Sequence, residues 1–185
     1  MDFKNFDAQK AHATQYLRRG QQVPAVILIK HASGDISAIE MDLSDNEAKA
    51  FSALTMRKFL HKVDAISYMF VSESWVTAIE DGDLNKRGER KEIVMFDVWD
   101  KTGVNATYTW DIARNSDGTG FVEDRDSLTH PTLPTTATGL LSNLFDSSPL
   151  LQLNSTQMRK VDKAVSTIIN KRNKFRYNKP TIHQV

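Results

Sequence analysis

Apolar side chains along the chain switch between a spacing of two and a spacing of three to four, and the switches mark out a series of elements. Ala8, Ala11, Ala13 and Leu17 fall on a helical stripe that Asn5 or Asp7 can cap and Gly20 can end, with Phe3, Phe6 and Tyr16 to pin its thin apolar face. Val23 to Ile29 reads as a strand with Pro24 near its start, Ala32 to Asp35 as a turn, and Ile36, Ile39 and Met41 as a second strand. Together they predict an antiparallel hairpin. Ser44-Asp45-Asn46-Glu47 has the spacing of a capping box, with Ser44 as the cap and Leu43 stapled onto Ala48. The helix that follows carries Ala50, Phe51, Leu54, Phe59 and Leu60, and turns basic at Arg57, Lys58, His61 and Lys62, where the helix dipole favours cations.

The middle of the chain is strand-like. Ile66 to Thr77 is apolar on both faces in its early part, which predicts a central strand covered on two sides. Ile93 to Trp99 has the same character. Ala106, Tyr108, Trp110 and Ile112 alternate with Asn105, Thr107, Thr109 and Asp111, so this strand shows one polar face. Lys101-Thr102-Gly103 joins the last two as a hairpin, and Phe121 and Val122 suggest a short edge strand. From 124 to 154 the composition shifts to Thr, Ser, Pro and Leu. This excursion either wraps the body through its leucines or stands away from it, with a short helical turn at Leu140 to Phe145. A last helix starts near Asn154 or Ser155 and puts Met158, Val161, Val165, Ile168 and Ile169 on one face and Lys160, Lys163, Lys171 and Lys174 on another. The pattern predicts a single α+β domain over 1–185: a mainly antiparallel sheet of about five strands packed by two or three helices, in the order α-β-β-α-β-β-(β)-α.

Composition narrows the chemistry. The 185 residues include no cysteine, which excludes disulfides, thiolate metal sites and a thiol nucleophile, and fits a reducing compartment. The chain opens without a basic start and apolar run, and its longest apolar stretch is too short to span a bilayer, so a cytoplasmic protein with no membrane partner is expected. Net charge is +1, unevenly spread: residues 159–185 carry +7 and the rest −6, which makes the C-terminal helix and tail a basic appendage on a mildly acidic body.

Reactive clusters are scarce. His12, His31, His61, His130 and His183 stand singly, so neither a metal site nor a cofactor is expected. Asn115-Ser116-Asp117-Gly118 has the outline of a calcium loop, but the first ligand position falls on Ala113, and a glycine-assisted turn accounts for it. Glu89-Arg90-Lys91 after Asp81 and Asp83 has the outline of a metal-dependent nuclease set, though the acids precede it in a charged loop. Glu73, in an apolar segment two residues before Trp75, needs a partner if buried, and Arg87 or Arg90 are the nearest candidates.

Phe70-Val71-Ser72-Glu73-Ser74-Trp75, a charged connection, and Arg90-Lys91-Glu92-Ile93-Val94 together resemble a pattern in a group of small uncharacterised bacterial and phage proteins, across the central third of the chain. The resemblance implies a shared fold and no chemistry.

The absence of a convergent catalytic set favours a non-enzymatic protein-interaction module, acting on a protein partner or on itself through 124–154 or the basic helix, with Glu73 and Trp75 as further contact candidates. A second reading is nucleic-acid binding, in which Lys160, Lys163, Lys171, Lys174 and Arg176 follow phosphates and Phe175 and Tyr177 stack on bases. A third is a hydrolase that joins Glu73 to Asp97 or Asp111.

Overall fold

A computed structural model describes residues 6–79, 87–123, 128–129 and 141–177. The chain adopts the expected α+β class: α1 (Phe6–Leu17), β1 (Val26–His31), β2 (Ile36–Glu40), α2 (Asn46–Lys62), β3 (Ala65–Ile79), β4 (Arg87–Asp100), β5 (Asn105–Arg114), β6 (Gly120–Val122), β7 (Leu128–Thr129), a 3-10 turn (Ser148–Gln152) and α3 (Ser155–Tyr177). All strand pairs are antiparallel, in the order β2-β1-β3-β4-β5-β6, and the two residues of β7 add to β5. β3 is interior, as its two-sided apolar pattern predicts, and pairs with β1 and β4.

The alternation of side chains across β3 divides the core in two. Tyr68 and Phe70 join Ile27, Ile29, Phe59, Leu60, Val161 and Val165 beneath α2 and α3. Met69 and Val71 join Leu28, Val94, Phe96, Trp110, Ala13 and Leu17 beneath α1, where Phe6 adds ring contacts with Phe96, Tyr108 and Trp110. The thin stripe of α1 is enough because Ala13 and Leu17 are buried outright.

Local details depart from the sequence pattern in four places. The cap of α2 is Asp45, whose carboxylate accepts the Ala48 amide at 2.8 Å, while the Ser44 amide is taken up by Asp42. A reciprocal capping box instead opens α3, where Asn154 and Gln157 each accept the other's amide at 2.9 and 3.0 Å. Arg57 is no solvated dipole cation: 6 % exposed, it donates to the carbonyls of Ser142, Asn143 and Asp146 and so ties the segment after residue 140 to α2. Strand β1 begins three residues later than read, because the Val23 amide is engaged by Glu73 rather than by a neighbouring strand.

The 124–154 excursion is described only in parts. Leu128–Thr129 forms β7, and 141–154 wraps the body: Leu144 is fully buried with its amide donating to the Tyr68 hydroxyl oxygen at 3.0 Å, and Leu150 is buried in the 3-10 turn. A turn closes from Asn143 to Asp146, while Leu140 and the His130-Pro131 and Leu133-Pro134 signals lie outside the described residues. No helix among the described residues is long and apolar enough to cross a membrane.

Candidate functional site

α2 and α3 cover the middle of one sheet face but leave its β2 edge bare, and this produces an open groove of about 1490 Å³. One wall is β2 and its flanks from Asp35 to Asp42. The floor is Phe51, Thr55, Met56 and Phe59 of α2, and the far wall is one stripe of α3. That stripe, Lys160, Lys163, Ala164, Thr167, Ile168 and Lys171, runs at separations of three, four, seven, eight and eleven, so all six share a helix face adjoining the core stripe of Val161 and Val165. The small residues Ala164 and Thr167 leave a trough between the lysines. No acid among the described residues pairs with these three lysines, whereas neighbouring Lys58 is held by Asp162 at 2.6 Å.

Strand β2 brings more than side chains. Met41 donates to the Ala25 carbonyl and His31 to the Asp35 carbonyl, which fixes the alternation of the β1–β2 ladder. Ser37 and Ile39 therefore bond inward to β1, and the N–H and C=O groups of Ile36, Ala38 and Glu40 turn outward. No strand among the described residues pairs with that edge. Ile36, at 60 % exposure, is conspicuous beside it. An unprotected edge of this kind is a template for strand addition.

A second polar cluster sits on the opposite face. Glu73 and Glu92 come from the same side of β3 and β4, and Arg114 of β5 reaches both: its Nη2 lies 3.2 Å from Glu73 Oε1 and donates a short bond to Glu92. Both carboxylates are only 9 % exposed. Burial pushes the Glu73 carboxyl above its ordinary range and Glu92 beside it acts in the same sense, against the Val23 amide and Arg114. The Arg114 hydrogen bond holds Glu92 below its ordinary range, and Glu92 in turn raises the guanidinium. Every group in the cluster has an internal partner, which gives it the character of a structural tie between the β1 approach and three strands.

The sequence candidates thus separate. Glu73 is paired to Arg114, not to Arg90, and the Arg87 side chain lies outside the described residues. Arg90 instead lies over the Trp75 ring at 4.4 Å, on a β3–β4 ribbon that continues past the pairing of β1 and β5, where Trp75 is 53 % exposed. Asp97 and Asp111 do not meet Glu73, because they project from the other face. Asp97 accepts from Trp99 Nε1 and Thr107 Oγ1, and Asp111 lies 3.6 Å from Lys91. The three acids share no cleft. Lys160, Lys163 and Lys171 do converge, along the groove, while the side chains of Lys174 and Arg176 lie outside the described residues, as do Asp81 and Asp83. Among the described residues no group of three or more His, Asp or Glu is placed to hold a metal ion.

The wall facing those lysines is not legible in the sequence. Ile36, Ile39 and Met41 were legible as a strand, but nothing local marks that strand as the edge of the sheet. Comparison with protein-family models, curated proteins and solved structures gives no match. The resemblance carried by residues 70–75 and 90–94 accordingly gains no support there.

Proposed function

We propose that this protein is a non-enzymatic protein-interaction module, and that the groove between β2, α2 and α3 is its docking surface for an apolar, acid-bearing segment of a partner protein. The observation that carries the reading is the convergence on one trough of three lysines that no described acid pairs, an apolar floor and a strand edge that no described strand pairs. At about 1490 Å³ the groove exceeds the ordinary size of a small-molecule site, roughly 300–1,000 Å³. Its basic wall favours an acidic occupant and disfavours a second copy docked edge to edge, which would bring two lysine-lined helices together across the junction. The same three lysines support nucleic acid less well, since they rim a trough with an apolar floor rather than a convex face.

A groove-filling variant tests the proposal. Thr167 is exposed on α3, so Thr167→Trp fills the trough without touching the core. Random twelve-residue peptides displayed on phage and selected on the wild-type protein are expected to lose binding to Thr167→Trp. Peptides that bind both proteins alike would refute the groove as the docking surface, as would preferential retention of single-stranded oligonucleotides with a steep salt dependence.

A further inference from the structure

Resting on the docking reading above, the geometry points to a narrower assignment: we infer that the partner segment binds as an added β-strand on β2, with side chains alternating between the groove and the opposite face and with carboxylates directed at Lys160, Lys163 and Lys171.

Three features of the groove lead there. Its β2 wall presents outward backbone groups at Ile36, Ala38 and Glu40, two residues apart, which is the repeat an extended chain matches and a docked helix or an alkyl chain does not. The side chains of Ser37, Ile39 and Met41 face the α2 and α3 side, where His31 Nε2 meets Ser37 Oγ at 2.9 Å and Ile39 and Met41 pack on the core cluster. A strand beside β2 continues that layer, so every second residue of the occupant falls between Ile39 and the apolar floor of Phe51, Met56 and Phe59.

Lengths agree as well. From Lys160 to Lys171 the helix rises about 16 Å at ~1.5 Å per residue, and the five residues of β2 extend about 13–17 Å at ~3.3 Å per residue. An occupant of five or so residues and the lysine stripe are therefore of similar length. Charge sets the polarity of the site across its width. The acids of the β2 wall, Asp35, Glu40 and Asp42, stand at its two ends, whereas the lysines run along the far wall, so acidic side chains are favoured where the added strand faces α3. This differs from capture of an edge by any hydrophobic strand, because Lys163 stands along the trough between Lys160 and Lys171 and selects against a basic segment.

The test separates strand addition from simple groove docking. Ala38→Pro removes one outward N–H, and proline is tolerated on an edge strand where its N–H faces solvent, so the fold is retained and checked by circular dichroism. Peptides selected from the random twelve-residue library should alternate apolar positions with others and carry an excess of Asp and Glu. They should bind Ala38→Pro roughly tenfold or more weakly. Selection repeated on Lys163→Glu should lose the acidic excess. Peptides with apolar residues at helical spacing, sensitive to Thr167→Trp but indifferent to Ala38→Pro, would overturn strand addition and leave the groove reading standing. Peptides indifferent to both variants would overturn the two together.

Discussion

Replacing Arg57 by methionine tests how the chain closes over α2. The guanidinium donates to three backbone carbonyls, at 2.6 Å to Asn143, 2.8 Å to Asp146 and 3.1 Å to Ser142, and these contacts bridge 85 to 89 residues of sequence. Burial holds its pKa below the usual arginine value, with Asp146 nearby acting the other way, so the cation has left water for a site where those carbonyls replace its hydration. A hydrogen bond from a charged donor is worth about 1.5–3 kcal/mol. Three do not simply add, because a methionine side chain at this position carries no charge to desolvate and the carbonyls stand near enough to solvent to rehydrate. The expected loss is about 3 kcal/mol. In urea, with a slope of about 2 kcal/mol per molar, the midpoint should fall by about 1.5 M. Arg57→Lys, which keeps the charge but not the planar fork, should fall between the two proteins. Hydrogen exchange adds a local readout: the Leu144 amide, bonded to the Tyr68 hydroxyl, should lose protection before the β3 and β4 amides do. An Arg57→Met protein within about 0.5 kcal/mol of wild type would refute the view that these contacts hold the segment.

Other consequences follow from single side chains. Thr55, 4 % exposed, has a buried Oγ1 without a hydrogen-bond partner among the described residues, so Thr55→Val should stabilise the fold by roughly 1 kcal/mol in the same urea assay. Thr14→Val is the control with the opposite sign, because the Thr14 hydroxyl accepts the Val122 amide at 3.2 Å and its removal should cost about 1 kcal/mol. Arg114→Met should leave the nearly buried carboxylates of Glu73 and Glu92 facing one another without a cation. Both folded-state pKa values then rise, so the penalty is present above them, at pH 7, and shrinks as pH falls toward about 4, where glutamate ordinarily titrates. Urea midpoints for wild type and Arg114→Met should therefore converge on acidification, and a gap constant from pH 7 to pH 4 would contradict the arrangement.

The elements that a local pattern can specify were legible in the sequence. The two-sided apolar run of β3 marked an interior strand, the Lys101-Thr102-Gly103 turn marked the β4–β5 hairpin, and the stripe of Val161, Val165, Ile168 and Ile169 marked the buried face of α3. Features set by tertiary contact were not. Asp45 and Ser44 are both good caps, and the choice between them depends on Asp42 taking the Ser44 amide. Arg57 reads as a surface cation at the end of a helix until the distant carbonyls are in place. Glu73 reads as an acid in need of a partner, but Arg114 lies 41 residues away and is brought to it across β4 by strand order alone.

The groove falls between these cases. Its lysines were legible as a helix face, yet the fact that they confront a strand edge depends on β2 being the outermost described strand, and strand order carries no local signature. The same limit explains the failed grouping of Glu73 with Asp97 and Asp111. Their sequence positions carry no cross-strand register, and a shift of one residue moves a side chain to the other face.

Backbone amide exchange across β2, measured with and without a saturating library-selected peptide, tests the docking account most directly. The account predicts that the outward amides of Ile36, Ala38 and Glu40 slow by roughly tenfold or more while those of Ser37 and Ile39, already bonded to β1, change little. Uniform slowing along the strand, or none at the three outward positions, would contradict it.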